Sequence, residues 1–215
     1  MAEVIQLTRR RPDRALADQR AAPGAPGVGP TTLYFDLASP YTYLVAERIE
    51  RRLGEALWRP ASLPPALGAH GEDVVAVAQR RAHDLRMPLV WPDRFPSRVP
   101  SAMRVATYAS EQGLGPAFAI AAGRLAFCGG FDLEDPDILA EAAAAAGIDV
   151  DGALVASRDP RRDHQIGIAG RAVGHGGGTT LPALEHERRL YCGESHISAW
   201  LAAQLSGVAA RPSAS

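Results

Sequence analysis

Residues 33 to 44, LYFDLASPYTYL, combine a short apolar run with the start of a helical pattern. The apolar run is typical of a buried parallel strand, because a strand covered on both faces shows no polar alternation. Ser39 then suits the N-cap of a helix, and Pro40 suits the first helical position, where a missing N–H costs nothing. Apolar residues continue at helical spacing as far as Leu53. The segment therefore predicts a strand, a tight turn and a helix whose free N–H groups and dipole favour an anion beside Ser39.

The rest of the chain shows one further strand, a helical block and a hairpin. A second strand is predicted over Ala56–Leu63 and ends at two prolines. Alanine-rich helices are predicted near 74–82, 101–112, 116–127, 135–146 and 148–157, with Gly147 stopping the fourth. A glycine-rich segment then leads to a hairpin made of Leu181–Leu184 and Arg188–Cys192, and Ser195 caps a last helix. The order of strand, helix, strand, helical block, hairpin and helix predicts an α/β fold.

Composition narrows the classes of function. The chain has 215 residues, and its formal net charge of −1 at pH 7 gives no reason to expect a nucleic-acid partner. All 23 basic residues are arginine, so Schiff-base chemistry on lysine is excluded. No apolar run approaches the ~20 residues of a membrane helix, and the N-terminus lacks the apolar core of a signal peptide. We therefore expect a cytoplasmic protein without a membrane partner.

The cysteines and histidines do not form a metal motif. Cys128 and Cys192 are far apart in the sequence, and both are expected to be buried apolar residues. The histidines are scattered, so we predict no metal site. Residues 1–30 are rich in Ala, Arg, Pro and Gly, which predicts a flexible N-terminal tail.

The segment from Phe35 to Leu44 resembles the opening motif of the DsbA-like branch of the thioredoxin superfamily. It is most similar to the 2-hydroxychromene-2-carboxylate isomerases and kappa-class glutathione transferases, which begin with Phe-Asp-x-x-Ser-Pro-Tyr-Ser-Tyr-Leu. In that pattern a serine replaces the first cysteine of the Cys-x-x-Cys of disulfide oxidoreductases. Here Ser39 is the matching hydroxyl and Thr42 stands at the second cysteine position, so neither residue can form a mixed disulfide. Weaker matches follow in the expected order at Trp58–Pro60, Met87–Pro92 and Leu181–Pro182.

The resemblance implies a thioredoxin-like fold with a large helical insertion after the second strand. The thioredoxin-like domain would consist of residues 31–64 and 162–206, and residues 65–161 would form the inserted helical domain. Residues 1–30 and 207–215 would be flexible tails. Relatives are often dimers, so the resemblance also implies a homodimer.

The resemblance also implies a glutathione site. Ser39 would be the catalytic residue, because its hydroxyl would hydrogen-bond the glutathione sulfur and favour the thiolate. Leu181, before a cis Pro182, would bind the cysteinyl part through its backbone. Glu194 and Ser195 stand where relatives bind the γ-glutamyl group, although the family's Asp and Arg after the glycine are absent. An ordinary helix N-cap with a solvent-facing Glu194 is the alternative for this segment.

Other residues are candidates for binding substrate. The resemblance implies a cleft lined by Phe35, Tyr41, Trp91 and Phe95. His70 would replace the Asn and Lys of the relatives as an acid–base group or a carboxylate ligand, with an ordinary loop residue as the alternative. Arg98 would hold a substrate carboxylate in a fork, with a surface ion pair as the alternative. Asp36 lies in an apolar strand and is therefore expected to be paired or protonated.

The function implied is a glutathione-dependent isomerase acting on an aromatic or conjugated acid in the breakdown of aromatic compounds. Two alternatives stay open. A kappa-like glutathione transferase would use the same thiolate on an electrophile. A non-catalytic module with a thioredoxin-like fold would have kept the scaffold and lost the ligand.

Overall fold

The computed structural model describes residues 31–53, 56–64 and 74–209. The candidate residue His70 and the predicted N-terminal tail lie outside these ranges. In chain order the elements are β1 (Thr31–Phe35), α1 (Pro40–Leu53), β2 (Leu57–Pro60), α2 (Val74–Leu85), α3 (Pro100–Glu111), α4 (Gly115–Phe127), α5 (Pro136–Ala145), α6 (Val150–Ser157), α7 (Arg162–His175), β3 (Ala183–His186), β4 (Arg189–Cys192) and α8 (Glu194–Ala209).

The four strands form one mixed sheet in the order β2-β1-β3-β4. The central strand β1 is parallel to β2, with Leu33 opposite Trp58, and antiparallel to β3, with Leu33 opposite Leu184. Strands β3 and β4 form the predicted hairpin. A parallel βαβ unit joined to an antiparallel hairpin and a last helix is the thioredoxin-like arrangement. The α/β fold with a helical insertion after the second strand is therefore confirmed.

Both faces of the sheet are covered. Leu33 and Leu184 point to one face, where they join a large core with side chains from α1, α4 and α8. Tyr34 and Ala183 point to the other face and pack with Val173 of α7 in a smaller core. The helices after β2 share the large core, as shown by the fully buried Phe118 and Leu139. The β1 strand is buried along its whole length for this reason.

The helix α7 was not predicted from the sequence. Its glycines resemble a loop, yet Gly170 is where the helix crosses the chain that follows β2. A Cβ at Gly170 would lie 1.9 Å from the backbone oxygen of Ser62, so only glycine permits this approach.

Three predicted boundaries can also be compared with the structure. The helix α5 stops at Gly147 as predicted, because this residue has a φ of 74°. The strand β2 is shorter than predicted, since it ends at Pro60 rather than near Leu63. The helix α8 begins at Glu194, one residue before the predicted cap.

Candidate active site at the start of helix α1

Ser39 lies in the tight turn between β1 and α1. Its N–H donates to the Asp36 carbonyl at 3.1 Å, and its own carbonyl accepts from the Thr42 N–H at 3.0 Å. The Asp36 N–H in turn points to the Thr42 hydroxyl oxygen at 3.4 Å. Hydrogen bonds within the turn therefore occupy the N–H groups of Ser39 and Thr42, although N–H groups at this helix start were expected to be free for an anion. The positive end of the α1 dipole and the Ser39 hydroxyl are what this position offers to a ligand.

The peptide bond between Leu181 and Pro182 is cis, as predicted. Tyr34 and Ala183 form the last pair between β1 and β3, so the segment that follows β1 and the segment that precedes β3 lie at the same end of the sheet. That end also holds the start of α8, because the Gly193 N–H donates to the Pro182 carbonyl at 2.8 Å. The sheet topology thus brings the Ser39 turn, the cis peptide and the α8 N-terminus to one end.

A cavity of about 1030 Å³ adjoins the Ser39 turn. Asp36 and Ala38 line it on one side, and the exposed Arg98 lines it at the start of α3. The Asp36 carboxylate accepts a hydrogen bond from the Ala38 N–H at 2.9 Å. Burial raises the pKa of Asp36, whereas this hydrogen bond and the charge of Arg98 act in the opposite direction. The expectation that Asp36 is paired is confirmed.

Glu194 is buried, with 5% of its surface exposed. Its Oε1 accepts from Arg48 Nη1 and Arg81 Nη2, both at 2.9 Å. The Ser198 hydroxyl also donates to this carboxylate. Burial raises the pKa of Glu194, but the hydrogen bonds from Arg81 and Ser198 and the charges of the two arginines outweigh it, and the net pKa is lowered. The solvent-facing Glu194 considered from the sequence is therefore wrong.

Ser195 and Tyr41, two further residues that were predicted to bind ligands, are accessible to solvent. Ser195 is exposed in the first turn of α8, and Tyr41 is half-buried in the first turn of α1. Their roles in binding glutathione and substrate stay predictions.

The expected aromatic cleft is partly wrong. Phe35 is completely buried and packs edge-on against Trp58 at 5.9 Å between ring centroids, because its strand is central in the sheet. Trp91 and Phe95 pack on each other at 4.5 Å, and both rings also contact Phe127. The Trp91 indole N–H is buried, and it has no hydrogen-bond partner among the described residues. The binding role of Trp91 stays a prediction.

The structure adds residues that sequence reasoning missed. Arg171 and His175 line the cavity from α7, one helical turn apart. The glycines at 167, 170 and 174 recur at helical spacing, and this periodicity is the signal that would have predicted the helix and this face. Arg48 and Arg81 were missed because their partner Glu194 is more than a hundred residues away in the sequence.

Two further observations concern metal binding and membrane-spanning helices. Within residues 31–53, 56–64 and 74–209, no group of three or more His, Cys, Asp or Glu side chains is placed to hold a metal ion. No helix in these ranges has the length and apolar character needed to span a bilayer.

Comparisons with known proteins agree with this architecture. A family model described as "DSBA-like thioredoxin domain" matches residues 32–167. A 2-hydroxychromene-2-carboxylate isomerase structure superposes with a TM-score of 0.68 at 15% identity, covering 84% of this chain and 96% of its own. A probable DsbA oxidoreductase from Streptomyces coelicolor gives a TM-score of 0.66 at 18% identity, covering 86% and 92%. The cytosolic disulfide reductase DsbM from Pseudomonas aeruginosa, solved with GSH, gives 0.50 at 20% identity, covering 83% and 100%. Comparison with curated proteins gives no match.

Proposed function

Because the chain belongs to the DSBA-like thioredoxin domain family, we propose that it is a glutathione-dependent isomerase of the 2-hydroxychromene-2-carboxylate isomerase type. The observation that carries this proposal is that the Ser39 turn and the cis Leu181–Pro182 peptide lie at the same end of the sheet, where Asp36 and Ala38 of this turn line a cavity of about 1030 Å³. Two structural relatives support it. One is a 2-hydroxychromene-2-carboxylate isomerase, and another was solved with GSH.

The residues at this end of the sheet fit glutathione. The Ser39 hydroxyl can donate to a sulfur at the positive end of α1, which lowers the pKa of a bound thiol. The backbone of Leu181, beside the cis bond, would pair with an extended peptide as an added strand would. The exposed Ser195 offers a hydroxyl at the start of α8. Bound glutathione would supply a thiolate that adds reversibly to a conjugated double bond and so permits rotation about it.

The proposal changes the role of Glu194. Its carboxylate is already bonded to two arginines and to Ser198, so it does not stand free for the γ-glutamyl ammonium. We propose that Glu194 acts indirectly, by holding Arg48 and Arg81 beside the first turn of α8. Each of these arginine side chains is 32% exposed and is therefore accessible to a carboxylate of the tripeptide.

This chain's residues would also bind the substrate. Arg98 would fix an acid substrate through two N–H donors in the cavity beside the Ser39 turn. A fixed carboxylate places the conjugated double bond near Ser39, which converts a bimolecular encounter into an oriented one. Thiol–disulfide exchange at Ser39 and Thr42 is excluded, because neither side chain contains sulfur.

The test is a titration of the full chain with glutathione by calorimetry, followed by kinetics on 2-hydroxychromene-2-carboxylate. We expect binding, isomerisation, and a loss of activity of about 10–100-fold in Ser39→Ala, the size expected for a lost hydrogen bond to charge. Ser110→Ala is the matched control, since its hydroxyl bonds the Ala106 carbonyl within α3.

The outcomes of these experiments distinguish an isomerase, a glutathione transferase and a non-catalytic module. Binding with isomerisation supports the proposal. Binding with conjugation of an electrophile but no isomerisation replaces it with a glutathione transferase. Absence of heat at millimolar glutathione overturns the proposal in favour of a non-catalytic module.

A further inference from the structure

The cavity beside the Ser39 turn has a second positively charged wall. Arg171 and His175 line it from α7, on a different element from Arg98. A Cβ at Gly167 would lie 3.4 Å from Arg171 Nη1, so the guanidinium lies back along the helix over Gly167. Gly167 also lines the cavity, and the Arg171 charge is therefore presented along the cavity wall rather than at the helix end.

The acidic groups at this cavity leave a positive surplus. Asp163 is engaged by Arg104, whose Nε and Nη2 lie 2.8 Å and 2.7 Å from its two carboxylate oxygens. Asp36 is bonded to a backbone amide, and its burial disfavours the charged form, whereas this hydrogen bond and the charge of Arg98 act in the opposite direction. Within the described ranges, no ion pair joins Arg98 or Arg171 to a carboxylate. Two guanidiniums on separate walls thus face a space that a ligand can fill.

We propose that the preferred substrate is a conjugated dicarboxylate, held by Arg98 at one carboxylate and by Arg171 at the other. This inference rests on the proposed function for the reaction, and it specifies the substrate class. Each guanidinium can bind one carboxylate through two parallel hydrogen bonds, which is the strongest arrangement available to these groups. A monocarboxylate would leave one of the two guanidiniums without its partner.

Glycines of α7 line the cavity, so a larger side chain at one of these positions tests whether a ligand occupies the cavity. A Cβ at Gly174 would meet no atom within 4 Å, and Gly174 lines the cavity. Gly174→Leu would therefore occupy ligand space without clashing with the backbone. Ala172→Leu adds a comparable side chain at an exposed position of the same helix and is the matched control.

The test uses two probes with the same carbon skeleton, trans,trans-muconate with two carboxylates and sorbate with one. Binding to the full chain is measured by calorimetry without glutathione. We expect muconate to bind about tenfold more tightly than sorbate, the contribution of one charged hydrogen-bonded pair. Arg171→Gln should remove this difference and leave sorbate affinity unchanged, whereas Arg98→Gln should weaken both probes. Gly174→Leu should abolish binding of both, and Ala172→Leu should not.

Other results would overturn the inference. Equal affinity of the two probes, or equal loss of both in Arg171→Gln, excludes a second carboxylate site at Arg171. Muconate binding that survives in Gly174→Leu places the probe outside this cavity. The glutathione titration separates this inference from the proposed function. Muconate binding without glutathione binding refutes the isomerase and keeps the dicarboxylate site. Glutathione binding without muconate binding refutes the dicarboxylate site and keeps the isomerase.

Discussion

Arg81 and Glu194 join helices α2 and α8 through two parallel hydrogen bonds. The Arg81 Nη2 lies 2.9 Å from Oε1 of the carboxylate, and its Nε donates to Oε2. Arg48 of α1 adds a third bond at 2.9 Å. The Glu194 side chain is 4% exposed, while the side chains of both arginines are 32% exposed. One buried carboxylate thus connects three helices beside the proposed glutathione site.

Glu194→Gln is expected to destabilise the fold. The substitution keeps the shape but removes the charge that two arginines and a hydroxyl bind. Because both arginines are partly exposed, water recovers part of their solvation, and we expect a loss of about 2–3 kcal/mol in the free energy of unfolding. Urea unfolding monitored by circular dichroism measures it. Glu50→Gln, at an exposed position of α1, is the control and should change this free energy by less than about 0.5 kcal/mol. An equal effect of both variants would contradict the role of Glu194.

The same carboxylate should make the stability of the protein sensitive to acid. The pKa of Glu194 is lowered in the folded state, whereas the unfolded value is that of a free glutamate, about 4.3. The unfolded state therefore binds the proton first as the pH falls. The stabilisation is complete above the unfolded pKa and is lost as the pH drops through the lower folded pKa. Wild-type unfolding free energy should fall more steeply below about pH 4.3 than that of Glu194→Gln. Parallel curves would exclude Glu194 as a source of the acid sensitivity.

The sequence predicts those parts of the fold that depend on local chemistry. The turn at Ser39 combines an N-cap residue with a proline at N1, and the structure begins α1 at Pro40. The helix stop at Gly147 depends only on the conformational freedom of that residue. The hairpin and the buried β1 strand follow from apolar periodicity in the same way.

Features that depend on distant contacts were not predictable in this way. The helix α7 contains glycines that lower helix propensity, and its reason for glycine is the Ser62 backbone more than a hundred residues earlier. The sequence predicted Glu194 as a glutathione-binding residue, with a solvent-facing residue as the alternative, and only the positions of Arg48 and Arg81 in space explain its burial. The cavity shared by Arg98 and Arg171 was missed for the same reason, because α7 itself was missed.

Arg98→Gln is expected to affect acid substrates selectively. Arg98 is exposed and lines the cavity, so its loss should leave the fold intact. We expect KM for a carboxylate substrate to rise about 10–100-fold with little change in kcat, because the lost bonds exist in both the bound substrate and the transition state. Steady-state kinetics measure both constants.

The control for this prediction is a neutral conjugated ketone, whose KM should not change. Arg52→Gln, at an exposed position in the last turn of α1, controls for the general loss of a positive charge. A similar rise in KM for the neutral ketone would show that Arg98 does not bind the carboxylate.

The paired substitutions Gly170→Ala and Gly174→Ala test why α7 contains glycine. At position 170 the new Cβ would lie 1.9 Å from the Ser62 backbone oxygen and 2.8 Å from its carbonyl carbon. Backbone cannot move aside as a side chain can, so we expect a loss of about 3 kcal/mol or more in the free energy of unfolding. At position 174 the new Cβ meets nothing within 4 Å, and alanine should stabilise the helix by about 0.5–1 kcal/mol. Thermal unfolding of both variants, followed by circular dichroism, gives the comparison. If both substitutions were neutral, the contact between α7 and the chain after β2 would be looser than the structure shows. This face of α7 would then not form the cavity wall at the position described.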